Sequence, residues 1–253
     1  MKGFILDIDG VLKRGGEIVP GSLEAVRRII ERGMKICYLT NNSTRNRKDT
    51  VTSLTYLGYP DEPVVSSAQA AARYILEESG PSRCLVVGET GLLDELSAVG
   101  HEAVMAGRGE EGMDYVVAGL DRDLTYAKVR DALWTIRNGA RFVATNRDPT
   151  LPTEKGKVLP GAGAVVAAIA LCTGIEPVVV GKPEPYSTIL ALDEMGLDPD
   201  DVLMVGDRYD TDILAGKAAG CRVAMVQTGE VKDVEDSELA VFKDLLTLVR
   251  ELP

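Results

Sequence analysis

The 253-residue chain reads as an α/β protein, with a three-layer, parallel-sheet core and a smaller inserted α/β domain. Three observations predict this. Short apolar runs of strand length alternate with helical periods early in the chain and again in its last quarter. Polar and acidic residues recur where those runs stop. Between the two parts lies a stretch with strands and helices of its own, so the core is split in sequence. The expected boundaries put the core at 1–79 and 180–253 and the insertion at 80–179. A composition of 45% hydrophobic and 26% charged residues suits a soluble globular protein of this length.

The elements follow in order. Phe4 to Leu6 is a buried strand that delivers Asp7 at its exit, and side-chain alternation sends Asp7 and Asp9 to the same side. Ser22 is placed to cap a helix whose apolar residues Leu23, Val26, Ile29 and Ile30 form one stripe, and Gly33 ends it. Ile36 to Leu39 is the next strand, stopping at Thr40-Asn41-Asn42-Ser43. A polar helix from Arg47 to Leu57, a strand at Val64-Val65 and a helix from Ala68 to Glu78 complete the first part. In the insertion, strands are expected at Cys84–Val87, Ala103–Met105, Tyr115–Ala118 and Phe142–Ala144, with helices at Tyr126–Arg137 and Gly163–Cys172. Trp134 is expected in the core, and Pro149 to Gly163 as loop. Then come a strand from Pro177 to Val180, a helix from Ser187 to Met195, and a strand from Val202 to Val205 that stops at Gly206-Asp207. Asp212–Ala219 is expected helical, Arg222–Val226 a strand and Leu239–Leu252 a last helix.

Composition narrows the function. A formal charge of −11 argues against a nucleic-acid partner, since phosphate-backbone binding rests on clustered Lys and Arg. The apolar runs are shorter than the roughly 20 residues of a membrane helix. With no signal-like leader, the cytoplasm is the expected location. Cys37, Cys84, Cys172 and Cys221 are expected as buried free thiols. A lone histidine, His101, leaves no Ser-His-Asp triad or multi-histidine zinc site in view, and no Walker-type loop occurs. The remaining chemistry runs on carboxylates, hydroxyls and lysine.

Those groups collect at predicted strand ends: Asp7 and Asp9, Thr40 and Asn41, Lys182, Asp207 and Asp212. In a parallel sheet these ends share one edge, where ligands bind. A carboxylate attacking a phosphate dianion meets strong repulsion. A hard divalent cation held by Asp7 and Asp207 offsets it, and Mg²⁺ suits a site with few protein ligands plus substrate phosphate. Lys182 adds a fixed positive charge, and Thr40 with the backbone N–H groups after it can donate to phosphate oxygens. The bland readings are a helix cap for Asp212, turn residues for Asn41 and Asn42, and a solvated lysine for Lys182.

Asp7-Ile8-Asp9-Gly10-Val11, Leu39-Thr40-Asn41-Asn42, Gly181-Lys182-Pro183 and Gly206-Asp207-Arg208-Tyr209-Asp210-Thr211-Asp212 appear in the order of the four motifs of the haloacid dehalogenase superfamily. The chain resembles its NagD-like and 4-nitrophenylphosphatase branch, which carries an α/β cap between the second and third motifs. Ala144-Thr145-Asn146-Arg147-Asp148 and Pro160-Gly161-Ala162-Gly163 resemble that cap. The resemblance implies a Rossmann-like core and a Mg²⁺-dependent phosphatase acting on small phosphate monoesters. It implies Asp7 as nucleophile, forming an aspartyl phosphate, and Asp9 as acid–base with its backbone carbonyl on the metal. Asp207 would be a further metal ligand, and Asp212 would hold metal-bound water or orient Lys182. Beside these, Asn41 or Asn42 is expected to contact phosphate, and Asn146 and Arg147, whose bland reading is plain loop polars, to contact substrate from a loop of the cap over the crevice. Arg147 would favour a second anionic group. A phosphotransferase on the same fold and a receiver-like phosphoacceptor are the alternatives, and a homodimer through the cap surface is compatible with the sequence.

Overall fold

A computed structural model describes residues 1–152, 157–229 and 236–252. In chain order the elements are β1 (Gly3–Asp7), the paired strands β2 (Lys13–Arg14) and β3 (Glu17–Ile18), α1 (Ser22–Glu31), β4 (Lys35–Thr40), α2 (Arg47–Tyr56), β5 (Val64–Ser66) and α3 (Ser67–Ser79). Next are β6 (Arg83–Val87), α4 (Thr90–Ala98), β7 (Glu102–Met105), β8 (Tyr115–Ala118), α5 (Tyr126–Arg137) and β9 (Arg141–Ala144). The antiparallel pair β10 (Thr150–Pro152) and β11 (Val158–Pro160), α6 (Ala162–Thr173) and β12 (Val178–Val179) follow. Last come α7 (Tyr186–Met195), β13 (Val202–Gly206), α8 (Leu214–Ala218), β14 (Arg222–Val226), β15 (Ala240–Phe242) and α9 (Leu245–Glu251). Contacts divide the chain into two compact units. One holds Met1–Thr40, Thr50–Val65 and Lys182–Pro253, the other Asn41–Asp49 and Ser66–Gly181.

The first unit is built on a six-stranded sheet in the order β15-β14-β13-β1-β4-β5. Strands β1, β4, β13, β14 and β15 run parallel to their described neighbours. Alternation along the strands divides the core. Phe4, Leu6, Ile36, Tyr38, Leu203 and Val205 share a face with Ala25, Val26 and Ile29 of α1 and Leu245, Leu248 and Val249 of α9. On the other face, α7 packs on β1 and β4, and α8 on β14, which gives the three layers. Burying such residues contributes about 1.5–3 kcal/mol each. The α1 stripe is as expected, but Ser22 does not cap it. Gly21 takes that position, and the buried Ser22 hydroxyl donates to Val19 O at 2.6 Å. The expected last helix is shorter than 239–252. Ala240–Phe242 pairs with β14 instead, and α9 starts after Asp244, whose carboxylate accepts the Thr247 N–H at 2.7 Å.

The second unit has a fully parallel five-stranded sheet, β12-β9-β8-β6-β7. Leu85, Val87, Val116, Ala118, Phe142 and Ala144 pack with Ala132 and Ile136 of α5 and Val165, Val166 and Ile169 of α6. Contacts group helix α3, which the sequence reading places in the core, with this unit, where it packs on α4. The following expectations are corrected. The segment 149–163 is not wholly loop, since it contains β10 and β11; residues 153–156 within it lie outside the described residues. Trp134 is not core. It is 54% exposed, because it falls off the buried stripe of Asp131, Ala132, Thr135 and Ile136, and the Arg130 guanidinium sits 4.9 Å from its ring centre. Cys172, at the end of α6, is exposed, whereas the other three thiols are buried. His101 is structural: its Nδ1 accepts the Ser82 N–H, leaving Nε2 to donate to Ala72 O at 3.0 Å.

Candidate active site

The parallel register decides which groups meet. Asp7 aligns with Leu39, and Leu6 with Val205, so β1, β4 and β13 end together and present Asp7, Thr40 and the Gly206-Asp207 turn at one sheet edge. Asp7 and Thr40 are buried there. After β13 the backbone makes a π-helical turn, Tyr209–Ile213, before α8 begins. Asp212 lies inside that turn and is not the N-cap residue of α8. Its Oδ2 accepts the Arg208 N–H at 3.0 Å, while Oδ1 takes Lys182 Nζ at 2.5 Å.

Lys182 arrives by a different route from the one its sequence suggested. The strand before it, β12, pairs with β9 in the second unit, so Lys182 does not end a strand of the six-stranded sheet. It is the first residue of the last segment of the first unit, and its side chain is only 3% exposed. There it bridges Asp7 Oδ1 and Asp212 Oδ1, both at 2.5 Å. Asp207 closes the group, with one oxygen each of Asp7, Asp207 and Asp212 lying within 4.8 Å of one another.

The electrostatics follow from this crowding. Burial pushes the Asp7 carboxyl well above the usual carboxylate range; Asp212 and Asp207 add to the rise, and Lys182 opposes it. Burial also works against the Lys182 ammonium, but Asp212 and Asp7 outweigh it and hold its pKa above the ordinary lysine value. Three buried carboxylates this close repel one another unless more positive charge is supplied. An all-oxygen donor set of this kind fits a hard divalent cation.

Asp9 stands apart from this group. Its carboxylate is 45% exposed and accepts Lys13 Nζ at 2.6 Å. Asn41, Asn42, Asn146 and Arg147 all belong to the second unit. Asn42 makes an Asx turn, accepting from Thr44 N at 2.9 Å. Asn41 donates to Asp148 Oδ2 at 3.0 Å, Asn146 donates to Asn41 O at 2.8 Å, and Arg147 pairs with Glu176. Sequence reasoning missed the backbone cradle of Asp207. A Cβ added at Gly10 would lie 2.4 Å from its carboxyl carbon, and one at Gly229 would lie closer still. The Thr228 hydroxyl ties these loops together by donating to Gly10 O at 2.7 Å. The available signal was Thr228-Gly229 just past β14, on the same sheet edge.

Known proteins share this architecture. A haloacid dehalogenase-like hydrolase model matches residues 4–102, and a second HAD hydrolase-like model matches 179–248. An acid sugar phosphatase of Staphylococcus saprophyticus is 37% identical over 99% of this chain and 98% of its own length. The p-nitrophenyl phosphatase of Archaeoglobus fulgidus superposes with a TM-score of 0.90 at 35% identity, covering 99% of both chains. A glycerol phosphate phosphatase of Mycobacterium tuberculosis, solved in complex with calcium, gives 0.87 at 35% identity over 98% of this chain and 74% of that one. Split motifs, an inserted α/β unit and these likenesses lead to one assignment: the chain belongs to the haloacid dehalogenase superfamily, in its NagD-like and 4-nitrophenylphosphatase branch.

Proposed function

We propose that this protein is a Mg²⁺-dependent phosphatase that hydrolyses small-molecule phosphate monoesters through an aspartyl phosphate. The observation that carries the reading is a buried group in which Asp7, Asp207 and Asp212 lie together and Lys182 bridges Asp7 and Asp212. In this reading Asp7, Asp207 and the Asp9 carbonyl hold Mg²⁺, with Asp212 beside them. When bound, the ion neutralises charge on the phosphoryl oxygens and on the attacking carboxylate.

The residues then divide the work. An Asp7 carboxylate oxygen attacks phosphorus as the ester P–O bond breaks, and Asp9 gives its proton to the departing alkoxide. Water next attacks the phosphorus of the aspartyl phosphate, giving a proton to Asp9 and releasing phosphate with Asp7 restored. Lys182 orients Asp7 and screens the phosphate charge, and Asp212 holds Lys182 in that position. Thr40 donates to phosphate oxygens. Residues 1–79 and 180–253 form the catalytic core and 80–179 the cap that selects the leaving group, with Arg147 its candidate for a second anionic group. The cytoplasm is the proposed location. Among the described residues, no helix is long and apolar enough to cross a membrane.

The test is release of phosphate from 4-nitrophenyl phosphate with Mg²⁺ and with excess chelator. Turnover should require the ion, and Asp7→Asn should lower kcat by at least about a thousandfold. Near-normal turnover by that variant would reject Asp7 as nucleophile.

A further inference from the structure

The chain passes between its units four times, at Thr40/Asn41, Asp49/Thr50, Val65/Ser66 and Gly181/Lys182. The first and last of these have a proposed phosphate-handling residue, Thr40 or Lys182, on the first-unit side and a second-unit residue as its covalent neighbour. Those two neighbours, 140 residues apart in sequence, are held against each other. The Asn41 carbonyl accepts Asn146 Nδ2 at 2.8 Å and Ser67 Oγ at 2.6 Å. The Gly181 N–H donates to Thr145 O at 2.8 Å. A Cβ added at Gly181 would lie 2.3 Å from that oxygen and 2.7 Å from Asn41 Oδ1, so the Asn41 side chain rests on the Gly181 backbone. Asn146 is 3% exposed, and its amide is committed locally: Nδ2 also donates to Thr145 Oγ1 at 3.4 Å, and Oδ1 accepts Asp148 N at 3.1 Å. Asp148 in turn accepts from Asn41 Nδ2. These bonds form a clasp around the first and last crossings.

We propose that Asn146 is a positioning residue: by fixing Asn41 beside Gly181 it sets where Thr40 and Lys182 begin, and so aligns the phosphate-binding hydroxyl with the ammonium on Asp7. This stands in place of the direct substrate contact expected of Asn146 on a cap loop, and it rests on the phosphatase reading above. A displacement of about 1 Å in such groups costs up to roughly a hundredfold in rate. The loss falls on the phosphoryl group common to every substrate, not on the leaving group.

The test uses the full-length protein with saturating Mg²⁺ and three esters: 4-nitrophenyl phosphate, glycerol phosphate and a sugar phosphate. Asn146→Asp keeps the side-chain size but removes the donor to Asn41 O. It should lower kcat/KM by about ten- to a hundredfold for all three esters, and weaken competitive inhibition by inorganic phosphate, which has no leaving group. Ser67→Ala removes the other donor to the same carbonyl and should show the same pattern to a smaller degree. It decides the matter alone if Asn146→Asp does not fold. Loss confined to one ester with phosphate inhibition unchanged would make Asn146 a substrate contact and overturn the proposal. So would a lower Tm with all kinetic constants unchanged. A wild-type protein that releases phosphate from none of the esters would instead refute the phosphatase reading, and the clasp's role with it.

Discussion

Asp207 depends on residues that have no side chain. Gly10 has φ +98°, a region that disfavours any Cβ, and the space such an atom would need is filled by the Asp207 carboxyl group. Gly10→Ala should therefore displace a proposed metal ligand as well as strain the backbone. The Mg²⁺ concentration for half-maximal activity should rise about ten- to a hundredfold. Gly139→Ala is the control, since Gly139 has φ +103° with nothing within 4 Å of an added Cβ. It should cost a comparable ~1 kcal/mol of stability yet leave the Mg²⁺ requirement unchanged. Equal shifts in both variants would mean that Gly10 matters only to the backbone. Asp7 and Asp207 were legible in the sequence because each follows an apolar strand and the two fall in order with Thr40 and Lys182. Gly229 was not, because its contact with Asp207 joins positions far apart in the chain.

At the scale of elements, the same distinction separates what was foreseen from what was not. Helix α1 was legible because Val26 and Ile29 recur at helical spacing and pack on the sheet. Strand β15 was not, because Ala240–Phe242 is too short to show alternation, and only its partner β14 makes it a strand. Reading one helix through it also hid the start of α9. Asp244 marks that start, with Oδ1 accepting the Thr247 N–H at 2.7 Å and the Thr247 hydroxyl at 2.8 Å. Burial works against the Asp244 carboxylate, but the Thr247 bonds prevail and hold its pKa below the usual value. A depressed folded-state pKa gives stability that is present above the unfolded value near 3.9 and is lost as pH falls through the folded one. Asp244→Ala should thus cost about 1 kcal/mol at pH 7 by urea unfolding, with the gap to wild type narrowing as the pH drops below about 4. A pH-independent difference would assign the loss to packing and not to the cap.

For the whole molecule, the question is how a protein of net charge −11 handles a dianionic ester. The two fields act over different distances. Lys182 and a bound Mg²⁺ attract phosphate only close to the buried cluster, whereas the surplus acidic charge is spread over the chain and repels the substrate from further away. Salt separates these contributions: the Debye length is about 30 Å at 0.01 M and about 10 Å at 0.1 M, so added salt screens the distant charges first and the buried ones least. Raising NaCl from about 10 to about 150 mM at saturating Mg²⁺ should increase kcat/KM for 4-nitrophenyl phosphate roughly two- to threefold. The bound complex has already crossed the repulsive region, so kcat should stay level. A neutral ester cannot serve as the control, because the reacting phosphoryl group itself carries the charge. Viscosity-matched sucrose can, since it alters encounter without screening, and it should not raise kcat/KM. If salt lowered kcat/KM instead, the attraction of the cluster would extend beyond the buried site and dominate the encounter. The acidic balance of the surface would then play no part in how substrate arrives.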